Sequence, residues 1–398
     1  MMSSSGPTLG VRAESLPTTR VDRVEDLVAL SVSGLPAMHV AGDASRFAHT
    51  REFVSGSIPR QLSPLGHNAR YDAIVLLGAS LLEDAGQRSI LGGASATEYA
   101  ATLVTRQREG TDLGAVALTV WASAEAGVHP GPALDRMHEL LKVTDGRLVV
   151  PTAWALTALV AVIDDPRSAR AIDLERGRLL RSRFAHRYSF PHWTIPMTGP
   201  WLRHHVGCFA DQVYPIQALA RLHAAVGDPA ALEAAEAAAR VICELQGDAG
   251  QWWWHYDTRR DAVLEGYPVY SVHQHAMAPM ALFELAEAGG TDRSGEIVRG
   301  LDWLWDRPET AEEMIRPDLG LVWRKVGRNE PRPKVVRAAK SAATAVNSRF
   351  QLSLLDRAFP PGRVDQECRP YELGWLLYAW LARRSGAPRR LQGSESDG

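Results

Sequence analysis

Residues 209–254 read FADQVYPIQALARLHAAVGDPAALEAAEAAARVICELQGDAGQWWW, and the plan of the chain is contained in them. The first part, Phe209–Val226, is apolar or aromatic on most faces, as a helix surrounded by protein must be. Gly227-Asp228-Pro229 then supplies a helix stop, a cap and a first-turn proline in three residues. Pro229–Leu245 gathers its apolar residues on one face and its charges on the other, the pattern of a helix lying on an outer surface. The stretch predicts a hairpin of one inner and one outer helix, closed by the turn Gln246–Trp252.

The same alternation runs outward in both directions. Inner helices are expected at Asn68–Leu82, Leu113–Ala126, Val149–Ile163, Phe209–Val226, Pro268–Ala288 and Tyr371–Arg383. Amphipathic helices fall at Ser95–Arg108, Pro132–Val143, Ala169–Arg181, Pro229–Leu245 and Arg293–Trp305. A two-helix unit repeating along the chain is a repeat architecture, and six buried helices inside six outer ones make an (α/α)6 toroid. The sixth outer helix could be Arg23–Val32 or the stretch Val336–Leu355, and the pattern does not choose between them. The toroid would span residues 21–385, between tails at 1–20 and 386–398 that are polar or built of small residues. Links from outer to inner helices all emerge on one face, and three of them are long: Ser182–Cys208, Gln246–Tyr267 and Asp306–Pro370. Long loops rich in Trp, His, Tyr and Arg on one face mark where a site is expected.

Composition narrows the function. Among 398 residues, 44 Lys and Arg stand against 46 Asp and Glu, a net charge of −2. That balance argues against a nucleic-acid or anionic-membrane partner. No apolar run reaches membrane-spanning length and the N-terminus lacks a signal-peptide core, so a cytoplasmic protein is expected. Cys208, Cys243 and Cys368 are too few and scattered for a disulfide framework or a four-Cys zinc site. Tryptophan is the excess residue, twelve against eight phenylalanines, and six of the twelve fall on the long links.

Gln246 to Trp252 fits Q-x-x-x-G-x-W, and here the chain resembles the α/α-toroid families. The motif occurs in terpenoid cyclases and relatives of protein prenyltransferases. Similar outer-helix endings occur in six-hairpin glycosidases such as the unsaturated glycuronyl hydrolases. Asp112-Leu113-Gly114 and Asp145-Gly146-Arg147 are weaker echoes before other inner helices. The resemblance implies a toroid over about residues 65–385. The structural reading of the motif is a staple, with Gln246 bonding backbone at a neighbouring helix end while Trp252 packs over the turn.

The residues after the motif carry the chemistry. Trp252-Trp253-Trp254-His255-Tyr256-Asp257, a turn at Thr258–Asp261 and Ala262-Val263-Leu264 suggest a hairpin over the ring mouth. Successive residues of a strand face opposite sides, so at least one of the three tryptophans should line the opening. With a helix beginning near Pro268, Tyr270, His273 and Gln274 would share a face, with His273 placed as a general base or acid. His275 would point away, and His273-x-His275 diverge too far on a helix to share zinc. Asp211 and Tyr214 share a face at the start of another inner helix, where Asp211 could equally serve as a cap. Arg70 and Tyr71 open the first inner helix, Tyr371 and Glu372 the last, and Arg203 lies in the longest histidine-rich link.

Several motifs are missing. D-x-D-D and D-D-x-x-D do not occur, nor does the zinc pattern of the prenyltransferases or lanthionine cyclases, a phosphate loop or a dinucleotide turn. No metal and no cofactor is therefore expected. The resemblance and the rim residues together predict acid/base chemistry on a sugar: hydrolysis, elimination or epimerisation of a small or oligomeric saccharide. Asp211, Glu372, His273 and His255 would move protons. Tyr71, Tyr214, Trp253, Trp254, Tyr270, Gln274 and Tyr371 would bind the ring, and Arg70 or Arg203 a carboxylate of an acidic sugar. The alternatives are a terpenoid-cyclase-like enzyme and a non-catalytic glycan-binding scaffold serving polysaccharide assembly. Oligomeric state is not readable from the sequence.

Overall fold

A computed structural model describes residues 9–54, 61–143, 146–195 and 198–381. The C-terminal tail, residues 1–8 of the N-terminal one, the last two residues of the sixth inner helix and Asp145 lie outside them. In chain order the helices begin α1 (Thr18–Gly34), α2 (Ala69–Ala79), α3 (Asp84–Ile90), α4 (Ala96–Gln107), α5 (Leu113–Glu125), α6 (Gly131–Leu141), α7 (Val149–Ala161) and α8 (Ser168–Ser182). They continue with α9 (Phe209–Val226), α10 (Pro229–Glu244), α11 (Ala278–Glu287), α12 (Ser294–Asp306), α13 (Val335–Val346), α14 (Leu354–Ala358) and α15 (Pro370–Leu381). Helices α2, α5, α7, α9, α11 and α15 form the inner ring, each packed on the next, and α15 returns to α2. Around them stand α4, α6, α8, α10, α12 and α1. The sixth outer helix is thus the N-terminal candidate, since α1 packs on α15.

Local chemistry sets each element. Helix α5 is buried from Gly114 to Ala124, and the apolar-all-round sequence leaves no face for water. Gly227, at φ +72°, ends α9, and the Asp228 side chain accepts from the backbone of Ala230 and Ala231 at the start of α10. Inner helices α2 and α15 cross closely at Gly78, where a Cβ would lie 2.4 Å from the Gly374 carbonyl oxygen. Residues 9–17, in the stretch read as a tail, pack on the ring: Gly10 N–H donates to the Trp380 carbonyl, and buried Arg12 pairs with Glu287 at 2.7 Å.

The motif works as a staple. Gln246 Nε2 donates to the carbonyls of Gly250 (3.1 Å) and Glu296 (3.0 Å), tying the end of α10 to α12. Gly250 has φ +86° and lies so close to Arg299 that a Cβ would meet its carbonyl oxygen at 1.9 Å. Trp252 is fully buried against Phe209.

On the mouth face the long links fold into small antiparallel sheets. Val206–Cys208, His255–Asp257 and Ala262–Glu265 make one; Val269–Tyr270, Lys325–Arg328 and Pro361–Asp365 make a second. Thr50–Phe53, Leu62–Leu65 and Glu367–Cys368 make a third. Helix α13 lies over this face, packed on the turn Trp201–Arg203 and on strand Ala262–Glu265. Lys340 anchors it to Glu265 (3.0 Å) and Asp356 (2.6 Å), which also hold Arg328.

The ring axis is closed. Trp121 (α5), Trp154 (α7), Tyr214 (α9) and Trp375 and Tyr378 (α15) pack together across it. Nearer the far end, Arg221 donates to Tyr378 Oη at 2.8 Å, Tyr378 donates to Glu284 at 2.8 Å, and Gln217 joins Glu284 at 3.0 Å. Buried polar groups survive here because each is met by another.

Candidate active site

The floor of the mouth decides which rim residues face each other. Trp375 Nε1 donates to Tyr214 Oη at 2.9 Å, which brings α9 and α15 together across the axis. Asp211 precedes Tyr214 by three residues and Glu372 precedes Trp375 by three. Both carboxyls therefore stand one helical turn above the floor, on helices that meet there. Asp211 and Glu372, both buried, thus lie at the mouth ends of two helices joined by the Trp375–Tyr214 bond.

Glu372 is fully buried, and burial pushes its carboxyl up to about 7 against the opposing pull of Arg324. Its Oε2 accepts from Arg369 N–H at 3.1 Å, and Oε1 lies 3.3 Å from Arg324 Nε. Arg324 also pairs with Glu367, which accepts from Thr50 Oγ1 (2.9 Å) and meets Arg369 (3.3 Å). Burial alone would raise Glu367, but Arg324 and Arg369 outweigh it and hold that carboxyl below its ordinary range. Two glutamates against one guanidinium are thus driven to different protonation states, the usual division between an acid and a base.

On the facing side, Asp211 accepts from the Cys208 backbone N–H at 2.7 Å, which caps α9. It also meets His192 Nδ1 at 3.0 Å, and its charge raises His192 above the ordinary histidine value. Asp211 is both cap and imidazole partner. Donor atoms of His192, Cys208 and Asp211 lie within 4.8 Å of one another, a set that could hold a metal ion. Burial pushes the Cys208 thiol well up, so the sulfur keeps its proton.

The aromatic wall comes from the triple tryptophan and the fifth inner helix. Trp254 stacks on His273 (5.7 Å, 12° between planes) and meets Tyr270 at a tilt (4.6 Å, 42°). His273 is also 4.3 Å from the Phe209 ring. Burial drives His273 down to about 3, leaving a neutral imidazole whose Nδ1 has no partner. Near neutrality it stays unprotonated and is a weak base, better suited to hydrogen bonding than to proton transfer. His255, whose Nδ1 is also unpartnered, is lowered by burial and then by Arg337 and Arg203.

Other expected residues take different places. The fifth inner helix begins at Ser271, not near Pro268, and its first turns form a π-helix at His273–Met277. Tyr270 lies on a strand paired with Lys325, yet its ring reaches His273 at 5.0 Å. Gln274 faces away from the well: it accepts from Trp252 N–H (3.4 Å) and donates to the Tyr270 carbonyl (3.1 Å). Trp253 turns to Tyr267 (5.8 Å). Arg70 is on the rim but grips Asp112 through two bonds of 2.7 and 2.8 Å, so that cation already has its anion. Tyr71 and Tyr371 stack at 4.8 Å, and Arg369 donates to Tyr71 Oη at 3.2 Å. Arg203 is exposed, at the end of its turn.

Beyond the expected proton-transfer and ring-binding residues, Arg324, Glu367 and Arg369 surround Glu372, and His192 meets Asp211. Arg324 and Glu367 sit in a link without helical periodicity and are placed by strand pairing alone. His192 could have been picked out only by knowing that its loop crosses the Asp211 end of α9.

No family model matches the chain, and no curated protein matches it. Among solved structures it is similar to an unsaturated glucuronyl hydrolase specific for heparin, at 12% identity and TM-score 0.55, over 90% of this chain and 95% of that one. It is also similar to an unsaturated glucuronyl hydrolase from Bacillus sp. GL1, described as responsible for the degradation of glycosaminoglycan. That match has 14% identity and TM-score 0.51, over 89% of this chain and 95% of that one. The chain has the six-hairpin α/α-toroid fold of these structures. Among the described residues no helix is long and apolar enough to cross a membrane.

Proposed function

We propose that the chain is a carbohydrate-active enzyme of the six-hairpin type, performing acid/base chemistry on a sugar held in the mouth. The observation that carries this reading is the buried Glu372 carboxyl, shifted to about 7, on a helix bonded through Trp375–Tyr214 to the one that bears buried Asp211. In this reading neutral Glu372 donates a proton to a departing or ring oxygen, and the Asp211–His192 pair receives one. Neutral His273 and His255 can hydrogen-bond the sugar, and Trp254, Tyr270, Tyr71 and Tyr371 offer flat faces to its ring. The charged walls suit a hydroxylated ligand better than an isoprenoid, since each buried polar group then gains a partner. The similar solved structures are glycan-degrading hydrolases, which fits hydrolysis among the three reaction types.

A second reading, non-catalytic glycan binding, draws on Arg324 and Arg369, which neutralise Glu367 and Glu372. The experiment is turnover and binding of uronate-ended and neutral oligosaccharides by the purified chain and its Glu372→Gln and Asp211→Asn variants. Loss of turnover by 100-fold or more in either variant, with binding retained, is expected for an enzyme. Binding without turnover in the parent chain would establish the scaffold instead.

A further inference from the structure

A cavity of about 380 Å³ lies behind Tyr270, roofed by α13 and walled by strands Lys325–Arg328 and Pro361–Asp365. Its volume is at the low end of small-molecule sites, which run from ~300 to ~1,000 Å³. Tyr267, Pro268 and Tyr270 give it one flat, largely apolar side. The same Tyr270 ring touches Trp254 and His273, so one side chain separates this cavity from the well above Tyr214.

The charges around the cavity do not balance locally. Each lining carboxylate is already committed: Glu265 to Arg328 and Lys340, Asp365 to Lys325, and Glu330 to the backbone N–H groups of Lys334 and Val336. Arg337 and Arg363 also line it. Among the described residues neither has a carboxylate at ion-pair distance. Arg337 is half-buried, between Arg203 on the turn beneath α13 and Glu330 at the start of that helix. Burial and the neighbouring Arg203 both lower it from the ordinary arginine value. A partly desolvated guanidinium without an anion is unfavourable, and a bound oxyanion would remove that penalty with charge-assisted hydrogen bonds.

We infer that this cavity is a binding site for a saccharide bearing an oxyanion, with Arg337 as the principal anion contact, Arg363 as a second, and Tyr267 and Tyr270 as the ring platform. The saccharide part rests on the carbohydrate reading above, whereas the oxyanion part rests on the unpaired arginines alone. Phosphate, sulfate and carboxylate share this chemistry, and a guanidinium accepts each.

Calorimetric titration of the full chain with glucose 6-phosphate, glucosamine 6-sulfate, glucuronate and glucose separates these sources. At least one of the three anions is expected to bind, more weakly as salt is raised, while glucose does not. Arg337→Ala should weaken that binding tenfold or more and Arg363→Ala severalfold. Glu372→Gln in the neighbouring well should leave it unchanged. Because the Arg337 side chain makes no hydrogen bond among the described residues, its variant should melt at the parent temperature, so lost binding reads as a lost contact. Silence from all three anions, equal binding of glucose, or full binding by Arg337→Ala would overturn the inference. Anion binding that depends on Arg337 in a chain that turns over no oligosaccharide would keep this site and sink the enzymatic reading.

Discussion

Glu372 carries a pH signature that can be read with or without a substrate. Its carboxyl ionises near an ordinary 4.5 in the unfolded chain and near 7 in the folded one. The folded state therefore holds the proton more tightly, and stability falls as pH rises from about 4.5 to about 7, then levels off. The whole effect amounts to roughly 3 kcal/mol at most. Glu372→Gln should flatten that slope in urea unfolding measured between those pH values, and any activity that uses Glu372 as a donor should decline above about 7. An unchanged slope in the variant would place the titration on another group. Across the well, Asp211→Asn should lower the titration of His192, followed by its ring-proton resonances, because the charge that raises it is gone. Asparagine can still accept from the Cys208 backbone N–H, so the bond that closes the first turn of α9 survives the change. Asp211, Tyr214, His273 and Glu372 were legible as candidates because each sits within two turns of an inner-helix start. Arg324, Glu367 and Arg337 were not, since their positions come from strand register and from a helix that crosses the mouth.

At the scale of elements, the readable parts were those governed by local pattern. Inner and outer helices separate by whether polar residues occupy one face or none, and the Gly-Asp-Pro stop behaves as its chemistry requires. The start of the fifth inner helix was misread because Val269 and Tyr270 are drawn into a sheet with Val326 and Lys325, a pairing between distant segments. The π-turn that follows shifts His273 relative to an ideal α-helix, which no periodicity argument anticipates. The staple at Gln246 provides a test at this scale. Gln246→Ala removes three hydrogen bonds, one within its own turn and two to α12, and should cost about 1–2 kcal/mol in chemical denaturation. Gly250→Ala should cost more, since its Cβ would collide with Arg299 backbone and its φ is left-handed. A neutral result for both would mean that α10 and α12 are joined by side-chain packing alone.

Over the whole molecule, the toroid followed from counting hairpins, but the cover did not. Val336–Leu355 was weighed as an outer helix because α13 is amphipathic, and amphipathicity alone cannot say which surface the apolar side meets. Its placement depends on Lys340 and Arg328 converging on Glu265 and Asp356. Lys340→Met should therefore loosen the cover more than the ring. Amide exchange along α13 should accelerate at least tenfold, about 1.4 kcal/mol of local stability, while α5 and α7 keep their protection. Equal acceleration in the inner helices would show that cover and ring unfold as one unit.

The closed axis also governs traffic. Trp375 and Tyr214 seal the bore from below, and Arg221, Tyr378 and Glu284 seal it again at the far end. A solute in the well has one doorway, shared by arrivals and departures. A long polymer cannot be threaded through such a dead end and can present only a terminus or a side branch. On the enzymatic reading proposed above, each visit must finish before the next begins, so clearance of the doorway sets an upper bound on throughput.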